Sequence, residues 1–382
     1  MDILFVGPVG DFNIVDGGYA TAAEGMFAIL TRMLKDENID YINSVDCIST
    51  LNLNNIKFPE KNYDVVFLHT HPNSFANPTV ANIFQKILSF GKRKYLSVVW
   101  ETKPLPYNWK FLWESDLFTG FITPSKFVAN QIIENTKKSV YYVPHFIDTQ
   151  IYNQININDK VEKEDKFTVL FVGQHTSRKG VQDAILSYIR AFHLIEDSQL
   201  ILKCHLMSDR ELPLDILIKY YINTNCNVWK SKIFTMQDKL KLSEMVTLYQ
   251  EASILLFPSR GEGFGLPIVE AMSVGIPVIY TNWSSCSEVG EAPGNRPVNY
   301  YIDEAYNMNL YGYEQVSQYA YPFIKDLSTI LRDEYGKWKR NKKQYYEEVS
   351  LNKNIVDLKF GYDAIKNCFS YVIKDIEDKR VK

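Results

Sequence analysis

Apolar residues along this chain come in short unbroken runs rather than in strict alternation. Runs at 3–6, 64–68, 95–99, 118–122, 140–143, 167–172, 200–203, 254–257 and 277–280 are dominated by Val, Ile, Leu, Phe and Tyr, and 232–234 follows more weakly. Such runs predict strands buried on both faces. Helical spacing fills the intervals: 19–34 sets Ala20, Ala23, Phe27 and Leu30 on one face, 182–195 is a second helix, and 243–251 turns Met245 and Leu248 inward. Strands alternating with helices predict a parallel sheet covered on both sides. The polar stretch 148–166, rich in Asn, Gln, Asp, Lys and Glu, breaks the pattern before it restarts at 167, and reads as an interdomain linker. The expected architecture is α/β: two Rossmann-like doubly wound domains in series, over 1–150 and 165–350. From Tyr321 onward the chain is helical, and 355–382 is expected to pack back onto the first domain.

In doubly wound sheets ligands sit beyond the carboxyl ends of the strands. The notable residues fall there: Gly7, His69, Trp100, Gly173, Pro258 and Thr281. The most informative stretch is Ser259-Arg-Gly-Glu-Gly-Phe-Gly-Leu-Pro-Ile-Val-Glu-Ala-Met272, which carries two carboxylates, Glu262 and Glu270, eight positions apart. It reads as strand, glycine loop, helix and strand. Backbone N–H groups at such a helix start hold anions. Carboxylates beside them suit a ligand with phosphate and hydroxyls, such as a nucleotide sugar.

Composition narrows the classes. A net charge of −3 over 382 residues argues against nucleic acid as a main partner. The five cysteines include no Cys-x-x-Cys pair, which fits buried thiols in a reducing compartment. The start has no basic n-region, no run is long enough to span a membrane, and a cytoplasmic protein is expected. The basic run 337–343 reads as a solvated helix face, with an anionic membrane surface presenting a lipid-linked acceptor as the minority reading. No Asp-x-Asp lies near a strand end, and His69 and His71 lack convincing metal-binding partners, so no metal site is expected.

The glutamate motif, followed by Gly275-Ile-Pro-Val-Ile279 and Ser287-Glu-Val-Gly290, resembles the donor-site signature of retaining glycosyltransferases of family four (glycosyl transferases group 1), which have the two-Rossmann GT-B fold. Phe171-Val-Gly173 with Arg178-Lys-Gly180 is similar to that family's phosphate-binding strand and loop. Val143-Pro-His-Phe-Ile-Asp148 is similar to its interdomain segment, and Gly17-Gly18 to its first-domain glycine loop. The resemblance implies transfer of a sugar from a nucleotide-diphosphate sugar, UDP- or GDP-linked, to a glycan or lipid-linked acceptor, with retention and without a metal or other cofactor. It assigns Lys179 and Arg178, together with Gly173 and Gln174, to the diphosphate, Glu270 to the ribose hydroxyls and Glu262 to a hydroxyl of the transferred sugar. The amides of Gly263, Phe264, Gly265 and Leu266 would face sugar and phosphate.

The first-domain candidates are Gly17 and Gly18, His69 or His71 as an acceptor-site or general-base group, and Trp100 with Glu101 at the same edge. Two positions depart from the family pattern. Gln174 stands where an Arg is usual, and Trp100 and Glu101 where a His is common. A nucleotide-sugar epimerase or a phosphorylase on the same architecture, or a sugar-nucleotide-binding protein without turnover, are the alternatives.

Overall fold

In the computed structural model, which describes residues 1–10, 17–152, 154–206, 212–305 and 317–378, the apolar runs are strands. Part of the expected glycine loop, residues 11–16, and the end of the expected C-terminal segment, 379–382, lie outside the described residues. The chain forms two units. One is built on Met1–Ile147 and the helix Tyr362–Asp378, the other on residues between Asp148 and Asp357.

The first unit holds a six-stranded sheet: β1 (Asp2–Gly7), β2 (Ser44–Ser49), β3 (Tyr63–His69), β4 (Gly91–Ser97), β5 (Gly120–Thr123) and β6 (Ser139–Tyr142), in the order β2-β1-β3-β4-β5-β6. All its pairings are parallel, with Ile3 opposite Val65 and Phe67 opposite Tyr95. Its core joins Ile3, Phe5, Val65, Phe67 and Tyr95 to Met26, Ile29 and Leu30 of the helix Gly18–Leu34. Ile365, Phe369, Val372, Ile373 and Ile376 of the helix Tyr362–Asp378 enter the same cluster, at a spacing that lines one helix face. Phe369 is fully buried and meets Phe67 edge-on at 5.9 Å.

The second unit repeats the plan with β7 (Phe167–His175), β8 (Ser198–Leu206), β9 (Lys232–Met236), β10 (Ile254–Phe257), β11 (Val278–Thr281) and β12 (Arg296–Val298). Their order is β12-β11-β10-β7-β8-β9, again all parallel. A hairpin of β13 (Tyr300–Glu304) and β14 (Gln318–Pro322) follows the last strand. The reversal of strand order between β7 and β10 is the topological switch point where α/β sheets take ligands. Pattern alone did not indicate β2, β12, the hairpin or the helices Pro78–Leu88 and Leu214–Asn225. Strand β2 has no fully buried residue, and β12 is three residues long.

The stretch 148–166 falls at the start of the second unit and includes a helix. Asn156 caps a helix, Ile157–Lys163, by accepting from the amides of Asn158 and Asp159. Glu164 then gathers Lys160, the Ser253 hydroxyl, the Trp338 indole and the Tyr346 hydroxyl. Glu164 thus ties this otherwise largely exposed polar stretch to the rest of the second unit. The basic run also has partners: Lys337 on Glu334 at 2.9 Å, Lys339 on Asp197, Lys342 on the Glu164 carbonyl and Lys343 near Glu347 at 3.9 Å. Among the described residues no helix is long and apolar enough to cross a membrane.

Replacing Phe369 with Ala removes a buried ring from the first unit's core and should cost about 3–5 kcal/mol. Urea denaturation followed on the first unit's transition tests this, and an unchanged midpoint would show that the C-terminal helix does not support that core.

Candidate functional site

Local sequence dictates the geometry around β10. Pro258 ends the strand, and the chain runs through Ser259–Gly265 into the helix Leu266–Val274. Gly265 caps that helix with φ of +98°, Pro267 occupies its first turn, and Gly275, at φ of +88°, ends it by donating to the Ala271 and Met272 carbonyls. No side chain caps its N-terminus. The helix is apolar on all sides and buried, and Glu270 is its only charged residue. Across the switch point, Ser177–Lys179 form a tight turn after β7. Gly180 follows at φ of +70°, where an added Cβ would lie 2.2 Å from the Pro258 carbonyl oxygen. Only glycine lets the turn approach β10 this closely.

That approach puts both predicted cations on the first glutamate. Lys179 Nζ lies 2.6 Å from Glu262 Oε1, and Arg178 Nη1 lies 3.3 Å from Oε2. The Ser259 hydroxyl donates to Oε1 at 2.6 Å, and Arg178 also donates to the Gly261 carbonyl at 2.9 Å. Burial pushes the Glu262 carboxyl up, but Lys179 and Arg178 outweigh it, so the net shift is downward and the group stays ionised. Ser284, a non-glycine residue at φ of +54°, accepts from the Glu262 amide, and the Ser285 hydroxyl donates to the Glu262 carbonyl. The loop is therefore held at its backbone as well as its carboxylate. Arg260 points away, paired with Asp183 at 2.8 Å and stacked over Tyr321 at 4.5 Å.

Glu270 has a different setting. Its Oε1 accepts from the Tyr152 hydroxyl at 2.9 Å and its Oε2 from the Tyr249 hydroxyl at 2.6 Å. Burial raises its carboxyl above the usual value, and the two phenols only partly offset this. The structure thus brings Arg178, Lys179 and Glu262 into one cluster. It sets Gly263, Phe264, Gly265 and Leu266 between that cluster and Glu270, all buried. Gly173 and Gln174 lie at the end of β7, beside the turn that carries Lys179. A Cβ on Gly173 would make only ordinary contacts, so packing does not demand glycine there. Sequence reading missed Tyr152 and Tyr249, whose contacts span 118 and 21 positions and leave no local signal.

In the first unit, Gly17 caps the helix Gly18–Leu34 at φ of +99°, with none of the described residues within 4 Å of where a side chain would start. His69 is buried with Nδ1 2.9 Å from the Ser97 hydroxyl, and Tyr19 lies over its ring at 4.7 Å. Burial lowers its pKa to about 4 and that of neighbouring His145 to about 3, so both are neutral near pH 7. A base with so low a pKa takes protons poorly. His71 accepts from the Asn73 amide at 3.2 Å and thereby caps a short turn. Trp100 packs on Trp109 at 4.6 Å and is buried, whereas Glu101 is half-buried. His69 is thus a neutral buried group at the end of β3, with Tyr19 and Ser97 against it. Among the described residues no group of three or more His, Cys, Asp or Glu is arranged to hold a metal ion.

Residues 166–301, within the second unit that carries the cluster, match the family described as Glycosyl transferases group 1. The O-antigen chain mannosyltransferase RfbU of Salmonella typhimurium is 30% identical over 138 residues, 35% of this chain and 35% of that protein. An uncharacterized 41.2 kDa protein in the cps region of Klebsiella pneumoniae is 25% identical over 276 residues, covering 64% of this chain and 68% of that one. The first curated relatives are matched over only 35% and 41% of their own length. Among solved structures, Anabaena Alr3699/HepE in complex with UDP and glucose superimposes with a TM-score of 0.62 at 13% identity, covering 98% of this chain and 100% of that one. Sucrose-phosphate synthase from Thermosynechococcus elongatus gives 0.64 at 13% identity, covering 99% of both. The fold is that of the GT-B glycosyltransferases.

Replacing Lys179 with Met should destabilise the second unit by about 2 kcal/mol at pH 7, because Glu262 stays buried with one cation fewer. In the native protein the lowered Glu262 pKa adds stability above the ordinary carboxyl value of 4.5, and that stability is lost as pH falls through the folded-state value. The variant's Glu262 titrates higher, so its deficit should narrow on acidification. Denaturation midpoints compared from pH 7 to pH 4 check this, and a deficit that widens would contradict it.

Proposed function

We propose that this protein transfers a sugar from a nucleoside-diphosphate sugar to a hydroxyl of a glycan or lipid-linked acceptor, with retention of anomeric configuration and without a metal ion. One observation carries the reading. Two buried carboxylates sit eight residues apart at the switch point of a sheet; Glu262 is neutralised by Lys179 and Arg178, whereas Glu270 is held by phenols alone. A cationic place beside an anionic one suits a ligand whose one end is diphosphate and whose other end is a diol. The name of the mannosyltransferase relative and the UDP and glucose of the structural neighbour support a hexosyl donor and a glycan acceptor.

The chemistry follows from charge. An incoming diphosphate competes with Glu262 for Lys179 and Arg178, and the uncapped first turn of the Leu266–Val274 helix adds amide donors. Freed from its cations, Glu262 accepts from a hydroxyl of the transferred sugar. As the bond between the anomeric carbon and the phosphate oxygen breaks, charge grows on the leaving diphosphate. Fixed cations and dipoles stabilise this charge most in the transition state. The acceptor oxygen attacks on the face the phosphate leaves, and its proton passes to a phosphate oxygen. Each oxygen of Glu270 has a lone pair beyond the one its phenol uses, enough for both ribose hydroxyls.

A thermal-shift panel of UDP- and GDP-sugars should find one donor that stabilises the protein, by about 2.7 kcal/mol at a hundredfold excess over its dissociation constant. With that donor and a glycan acceptor, Lys179→Ala should lower kcat about 10²–10³-fold, and EDTA should leave the rate unchanged. A free altered sugar released without acceptor would point to an epimerase. Donor binding without turnover on any acceptor would point to a non-catalytic protein. No stabilisation by any nucleotide sugar would remove the reading.

A further inference from the structure

The Glu270 carboxylate is held unlike the other buried acids among the described residues of the second unit. Glu262 and Glu334 are each paired with at least one cation. Glu270 has one phenol on each oxygen: Tyr152, from the segment before the Ile157 helix, and Tyr249, from the helix Leu242–Glu251. Both tyrosines are buried, Tyr249 completely. The terminal torsion of a glutamate is soft and roughly two-fold, so a single partner leaves the carboxylate plane free to turn. Two donors from separate elements, one per oxygen, fix that plane.

We infer that Tyr152 and Tyr249 are positioning residues that clamp the Glu270 carboxylate so that the second lone pair of each oxygen meets a vicinal diol; this rests on the donor reading above. The use of phenols rather than cations has a reason. A cation would quench the carboxylate and weaken its pull on ligand hydroxyls, whereas a neutral donor orients it and leaves its charge intact. The phenols remain protonated donors, since burial first and the Glu270 charge second raise both well above the ordinary tyrosine value. Tyr249 and Tyr152 are also the groups that bear on the Glu270 titration, each lowering it against burial.

The test measures nucleotide binding by calorimetry from pH 5 to pH 8, on the wild type and on Tyr152→Phe, Tyr249→Phe and Glu270→Gln. UDP and GDP are tried first, and the one the wild type binds is compared with its 2′-deoxy form. Each Phe variant should bind the ribonucleotide about tenfold more weakly at neutral pH. It should lose part of the wild-type preference for the ribonucleotide over the deoxy form, and the acid limb of its affinity should move to higher pH. Glu270→Gln should abolish both the preference and the acid limb. Phe variants that lose affinity equally for both nucleotides with an unmoved acid limb, while melting like the wild type, would make the tyrosines merely structural and overturn the inference. Wild-type binding unaffected by Glu270→Gln would instead overturn the ribose role of Glu270 itself, and a wild type that binds neither nucleotide would overturn the donor reading with it.

Discussion

The second unit is organised around the cost of keeping a carboxylate out of water. Glu262 is buried, and a lone ion in that position would neutralise or destabilise the fold. Lys179 and Arg178 prevent this, yet they come from a turn more than eighty positions earlier in the chain. Everything around the cluster serves the meeting of these two segments: the parallel pairing of β7 and β10, the left-handed Gly180 against Pro258, and the Arg260 amide donating to the Arg178 carbonyl at 2.8 Å. A ligand anion that takes over the cations changes the state of the whole knot, not of one side chain.

The first unit offers no matching charge cluster among its described residues. Its candidate edge is largely aromatic: Tyr19, His69, His71, Trp100 and Trp109 pack ring against ring, and burial leaves His69 and His145 uncharged.

Much of this was readable in the chain. Continuous apolar runs such as 167–172 and 254–257 exposed the parallel sheets, because a strand covered on both faces has no polar side to show. The glycine-spaced glutamate motif marked the candidate loop, in which Glu262 meets Lys179 and Arg178. What stayed hidden was non-local or polar. Tyr152 reaches Glu270 across 118 positions, and the helix Ile157–Lys163 buries Lys160 and Glu164 against each other, so neither leaves an apolar period to read. The short β12 and the half-exposed β2 fall below what burial imprints on a sequence.

The helix Tyr362–Asp378 has a temporal consequence. The ribosome makes the sheet of the first unit before the second unit, but five of the residues that close its core, from Ile365 to Ile376, only after that second unit. Domains of a nascent chain ordinarily fold in the order of synthesis. Here the later-made unit has all of its own strands while the earlier one still exposes the apolar face that Phe67 and Tyr95 present to Phe369 and its neighbours. During translation the sheet of the first unit therefore keeps that apolar face uncovered until the Tyr362–Asp378 helix has been made.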